Sequence, residues 1–145
     1  LFLETLMKYF FTILSLCSAI SYAGTDQIIA TTRNNADNFK DRALAYCIAQ
    51  AYKDSPAGRD AKRTGGVFLN WTYYDLAANS EIDALITKFL SRNYSTPIEG
   101  YADAEFALLK CIDMYHSSEL YGLIRKYVPH PDWIGDKPFQ TRRKK

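Results

Sequence analysis

At 145 residues and 16.6 kDa the chain has the size of one domain. With 48% hydrophobic and 23% charged residues it is not a disordered polymer, a collagen-like repeat or a coiled-coil rod. The net charge of +2 rests on the last four residues, Arg142, Arg143, Lys144 and Lys145. Without them the body is mildly acidic, which argues against a nucleic-acid partner.

Positions 7–23 read as a secretory signal peptide. Met7-Lys8 is a short basic start and Tyr9 to Ile20 is an apolar run. Ser21-Tyr22-Ala23 then places small residues three and one positions before Gly24, as a signal peptidase requires. The run is well short of the roughly 20 residues that span a bilayer, so no stable membrane anchor is expected. Residues 1–6 then lie upstream of the start. Cys17 would suit lipid attachment with a small residue before it, but Leu16 stands there. The expected product is a periplasmic chain, residues 24–145, forming a single helical domain. A proline-rich basic tail begins at about 129.

Export removes Cys17 and leaves Cys47 and Cys111. In an oxidising compartment such a pair reads first as a disulfide. It would close a loop of about 64 residues, worth roughly 4 kcal/mol in the chain-entropy model. Two buried thiols acting as small apolar side chains are the alternative. Only His116 and His130 accompany the cysteines, at no ligand spacing, so neither a metal nor a cofactor is expected.

The remaining chain has helical periodicity and weak strand signals. The first helix is expected from about Asn35 to Lys53, with a start as early as Asp26 left open. Phe39, Ala43, Tyr46, Cys47 and Ala51 face inward there, and Asp37, Lys40, Asp41 and Arg42 face largely outward. Ser55-Pro56 is a good helix start, because Ser accepts from free amides and Pro suits the first helical position. The segment Ala57 to Ala78 follows, with Gly65-Gly66 near its middle as a kink or close-packing site. Val67, Phe68, Trp71, Tyr74 and Leu76 form an apolar set after it.

Asn79-Ser80, with Asp83 in the capping-box position, is expected to cap a third helix. Ile82, Leu85, Ile86, Phe89 and Leu90 give it the clearest amphipathic stripe in the chain. Pro97 and Gly100 break the pattern between Asn93 and Tyr101. Asp103 opens the next helix, with Phe106, Leu109 and Ile112 inward. Ser117-Ser118 interrupts it, and a last short helix carries Leu120, Leu123, Ile124 and Tyr127. Pro129, Pro131 and Pro138 forbid a further long element. Trp133 and Phe139 are placed to pin the tail, whose basic end frays. The fold class is all-α, a compact bundle of about five helices cross-linked by one disulfide.

No catalytic constellation stands out. Both cysteines lie in apolar stripes, His116 sits near a helix end, and His130 lies between prolines. Asp103 and Glu105 fall at a helix start, where carboxylates favour the dipole. Gly65-Gly66 lacks the partners of a phosphate loop. The 11 tyrosines suit a contact surface, or equally the rim of a small core.

The stretches Asp41-Arg42-Ala43-Leu44-Ala45-Tyr46-Cys47-Ile48-Ala49-Gln50-Ala51-Tyr52 and Leu109-Lys110-Cys111-Ile112-Asp113-Met114-Tyr115-His116-Ser117 resemble the fourth family of type VI secretion amidase immunity proteins. The resemblance runs from about Asn35 to Tyr127. It implies a periplasmic, all-helical homodimer without enzymatic activity. Its partner would be a peptidoglycan amidase of the NlpC/P60-like cysteine-peptidase class, inhibited by occlusion of its active-site groove. For the occluding segment we select the loop Tyr94, Ser95, Thr96, Pro97, Ile98, Glu99, Gly100 and Tyr101. Pro97 lowers the entropy cost of docking, Ile98 and the tyrosines give area, and Glu99 suits a protonated His or an amide. A plain solvated connector is the alternative. For the dimer contact we select Val67 to Leu76. Two other readings stay open: a periplasmic adaptor for another partner, and a small hydrolase using His116 with Asp113 or Glu119.

Overall fold

The computed structural model describes residues 26–94, 99–101 and 104–138. The signal segment with Cys17, the connector residues Ser95 to Ile98, Asp103, Phe139 and the basic terminus lie outside the described residues.

Five α-helices form the bundle: α1 (Asn35–Ala51), α2 (Pro56–Val67), α3 (Ala78–Leu90), α4 (Ala107–Tyr115) and α5 (Ser118–Tyr127). Short 3-10 turns at Ile29–Thr32 and Phe68–Asn70 flank α1 and extend α2. The central element is α1, which packs on all four of the others. Its small residues Ala43, Ala45, Cys47 and Ala49 are buried and allow that approach. Asn34 starts it, its side chain accepting from the Asp37 amide at 2.8 Å. Around α1 the core gathers Phe39, Ile82, Ile86, Phe89, Met114 and Leu120, all fully buried. The stripe expected on α3 is therefore the one that packs.

Lys40 and Arg42 correct the expected outward face of α1, because both are buried. Aromatic rings take the charge instead of water. The Lys40 ammonium lies 4.1 Å from the Tyr115 ring centroid and 4.4 Å from that of Tyr121, and donates to the Tyr121 hydroxyl at 2.9 Å. The Arg42 guanidinium lies 4.6 Å over Tyr46 and 5.4 Å over Tyr74. Such cation–π contacts strengthen as water is excluded. Several of the tyrosines thus complete the core, while Tyr52, Tyr73, Tyr101 and Tyr121 are exposed.

Ser55 accepts from the Gly58 amide with Pro56 at the first helical position, as expected. However, α2 ends at Val67, so Gly65-Gly66 lies in its last turns and not at the middle of a longer helix. A Cβ on Gly65 would stand 3.0 Å from the Tyr46 ring, so a side chain and not a second backbone occupies the space. The start of α3 also differs. No side-chain cap comes from Ser80; the Asp75 carboxylate accepts from the Ala77 amide at 2.9 Å. Ser117 separates α4 from α5 as expected, accepting from the Leu120 amide at 3.1 Å.

Cys47 and Cys111 are bonded and fully buried, with Cα atoms 5.6 Å apart. The bond ties α1 to α4. At the opposite end of α1 the tail folds back on the helix start. The amides of Asn35 and Ala36 donate to the carbonyls of Trp133 and Pro131 at 2.7 and 3.0 Å. Within the tail Trp133 stacks on His130 at 3.7 Å, and His130 in turn stacks on Tyr73 at 6.1 Å.

Candidate binding surface

The connector between α3 and α4 is built from its two ends. At its start, Tyr94 reaches α4, where its hydroxyl donates to the Asp113 carboxylate. That bond pushes the Tyr94 phenol above its ordinary pKa, because ionisation would oppose two negative charges. At its end, Gly100 has φ +86°, a conformation that glycine adopts freely. The Ala104 amide then closes a turn on the Tyr101 carbonyl at 3.1 Å.

Phe106 precedes α4 with φ +52° and ψ +33°, the left-handed region, where an aromatic residue costs about 1 kcal/mol or more. Its ring stacks on Tyr101 at 6.3 Å and 25°. Of the selected loop, Tyr94, Glu99, Gly100 and Tyr101 are therefore placed, with Glu99, Gly100 and Tyr101 exposed. Ser95, Thr96, Pro97 and Ile98 lie outside the described residues.

The face of α4 beside this connector is not the one expected. Lys110, Cys111 and Met114 point inward, and Leu108, Leu109 and Ile112 are each at least 40% exposed. Phe106 is only partly buried. The disulfide decides this, because Cys111 must face α1 and the helix period then turns Leu109 and Ile112 away. With Tyr52, Glu105, Phe106 and Ala107 these residues line an open groove of about 460 Å³. Glu105 places a carboxylate in its lining. Sequence reasoning passed over Leu108, Tyr52 and Lys110; the cysteine pairing was the signal that assigns this face.

A second set of exposed apolar side chains lies between α2 and α3, Val67, Leu69, Tyr73 and Leu76, of which Val67 shares an open groove with Ile28 and Ile29. It belongs to the segment selected for the dimer contact, although Phe68 and Tyr74 within that segment are buried.

The groups of the hydrolase alternative serve elsewhere. Asp113 accepts from Tyr94, Glu119 pairs with Lys88 at 3.2 Å and Arg92 at 3.8 Å, and exposed His116 caps α4 with its ring edge-on to Tyr115. Among the described residues no His, Cys, Asp or Glu cluster is arranged to hold a metal, and no helix is long and apolar enough to cross a membrane.

Residues 37–124 match the family Tai4, type VI secretion system (T6SS) amidase immunity protein. The match runs from the first turn of α1 through most of α5 and includes both bonded cysteines and the connector. Among solved structures the fold is similar to a chain from work on new type VI-secreted toxins and self-resistance proteins in Serratia marcescens. The TM-score is 0.66 with 26% identity, over 80% of this chain and 94% of that one. It is also similar to a chain from the Tae4/Tai4 effector–immunity system of Salmonella typhimurium. There the TM-score is 0.62 with 29% identity, over 70% of this chain and 96% of that one. No curated protein matches. A family match across more than half of the chain, on a five-helix disulfide-bonded body, leads to one assignment: the chain belongs to the Tai4 family of type VI secretion amidase immunity proteins, which are not enzymes.

Proposed function

We propose that the chain is exported with cleavage after Ala23, folds in the periplasm around the Cys47–Cys111 bond, and inhibits a type VI-secreted peptidoglycan amidase by covering its active-site groove. The partner class follows the Salmonella relative, whose structure is of a Tae4/Tai4 effector–immunity system; the partner here is a Tae4-class, NlpC/P60-like amidase. The observation that carries the reading is the exposed apolar face of α4, Leu108, Leu109 and Ile112, on the helix to which Tyr94 at the start of the connector is hydrogen-bonded through Asp113. An apolar patch with a polar rim is the anatomy of a protein-binding surface. The connector enters the groove and the α4 face seals water from its edge.

Inhibition of peptidoglycan hydrolysis tests the assignment of the loop. The double change Ile98→Ala and Glu99→Ala is expected to weaken inhibition by about 100-fold, the size of a central hot spot. Its thermal midpoint should stay near that of the parent chain. Full inhibition by this variant would exclude the loop as the occluding segment.

The homodimer forms through the exposed Val67, Leu69, Tyr73 and Leu76 in the same proposal. Leu69→Asp places a charge in that contact and is expected to shift the molecular mass by light scattering from dimer to monomer. An unchanged dimer mass would move the interface elsewhere.

A further inference from the structure

We infer that Tyr94, Lys110 and Asp113 form a latch that fixes the start of the connector, making them positioning residues for amidase binding. The inference rests on the function proposed above and extends it to the side chains that hold the connector's start.

The geometry is specific. Lys110 is buried at 9% exposure, and no carboxylate pairs with it among the described residues. Its ammonium instead donates to the carbonyl of Leu90, the last residue of α3, at 3.3 Å. A cation at a helix C-terminus answers free carbonyls and the negative end of the dipole. The same ammonium lies 5.8 Å from the Tyr94 ring centroid. The Tyr94 hydroxyl reaches Asp113, one turn further along α4. Lys110 and Asp113 flank Cys111, which is bonded to α1. The chain leaving α3 is thus fastened to α4 beside the point where α4 is covalently fixed.

The other end has its own tether, the Tyr101–Phe106 stack at 6.3 Å. A connector held at both roots loses less conformational freedom on docking than one held at neither, so the latch contributes affinity beyond the contacts the connector makes. An exposed tyrosine–carboxylate bond does little for global stability. A bond placed at the root of a binding segment acts on the complex.

Dissociation constants of the exported chain with a Tae4-class amidase test the inference. Tyr94→Phe and Asp113→Ala are each expected to weaken binding about five-fold, in line with the net contribution of an ordinary solvent-exposed hydrogen bond. The double variant should be no weaker than either single one, because both remove the same bond. Asp113→Asn keeps an acceptor for the phenol and should bind within about two-fold of the parent. In the free protein, the NMR titration of the Tyr94 ζ-carbon should fall back toward that of an ordinary phenol in Asp113→Ala.

Parent-like binding by Tyr94→Phe, fully additive losses in the double variant, or an unmoved Tyr94 titration would each overturn the latch. If the parent chain itself does not bind the amidase, the proposed function fails, and the Tyr94 titration still reports whether the bond exists.

Discussion

Replacing both Cys47 and Cys111 by Ala is expected to destabilise the fold by roughly 4 kcal/mol. The bond closes a loop spanning 64 positions, and the loop-closure entropy it removes from the unfolded chain has that size. Domains of this size have about 5–15 kcal/mol in total, so the loss is a large share. Both sulfurs lie in a dry core between α1 and α4, and alanine leaves no unpaired polar atom there. For a slope of about 2 kcal/mol/M, the midpoint of urea unfolding should fall by about 2 M. A midpoint unchanged from the parent would show that packing alone holds α4 to α1. It would also remove the stability argument for an oxidising compartment.

Asn35→Ala is expected to cost about 3 kcal/mol, a size normally reserved for core cavities. Asn35 is fully buried, and three of its hydrogen bonds join distant segments. Its amide donates to the His130 carbonyl at 2.9 Å and the Gly135 carbonyl at 2.7 Å, and its oxygen accepts from the Tyr73 amide at 2.9 Å. Alanine leaves three backbone groups to find water in a site built without it. Thermal unfolding should show the loss, and limited proteolysis should cut between Pro129 and Pro138 in the variant. A loss under about 0.5 kcal/mol with an intact tail would mean that the backbone bonds to Trp133 and Pro131 suffice.

Asn35 also shows where the sequence stops speaking. A buried Asn that staples a tail to a helix start has no local signature, because its three acceptors and donors lie far along the chain. The same holds for Lys40 and Arg42, whose burial depends on rings brought in by α4, α5 and the segment after α2. Local signals read well. Ser55-Pro56 and Ser117 start helices where their chemistry says they should, and the Ile82–Phe89 stripe packs as its period implies.

The candidate surface was half legible. Phe106, Leu109 and Ile112 fit a helical stripe by spacing, but so do Cys111 and Met114 on the opposite face. Apolarity alone cannot choose between two apolar faces of one helix. The disulfide chooses, and the stripe that loses becomes the exposed patch beside the connector. The start of α3 differs for a simpler reason: Asp75 makes a side-chain turn onto the Ala77 amide just ahead of the helix, and in sequence such a turn and a cap look alike.

The most direct test of the account is to mix the purified chain, residues 24–145, with a type VI-secreted amidase of the Tae4 class and follow peptidoglycan hydrolysis. The account expects a stable complex and hydrolysis that stops as the inhibitor reaches the enzyme's concentration. Undiminished hydrolysis and no complex at micromolar concentrations, with each amidase of that class from the same cell, would contradict it.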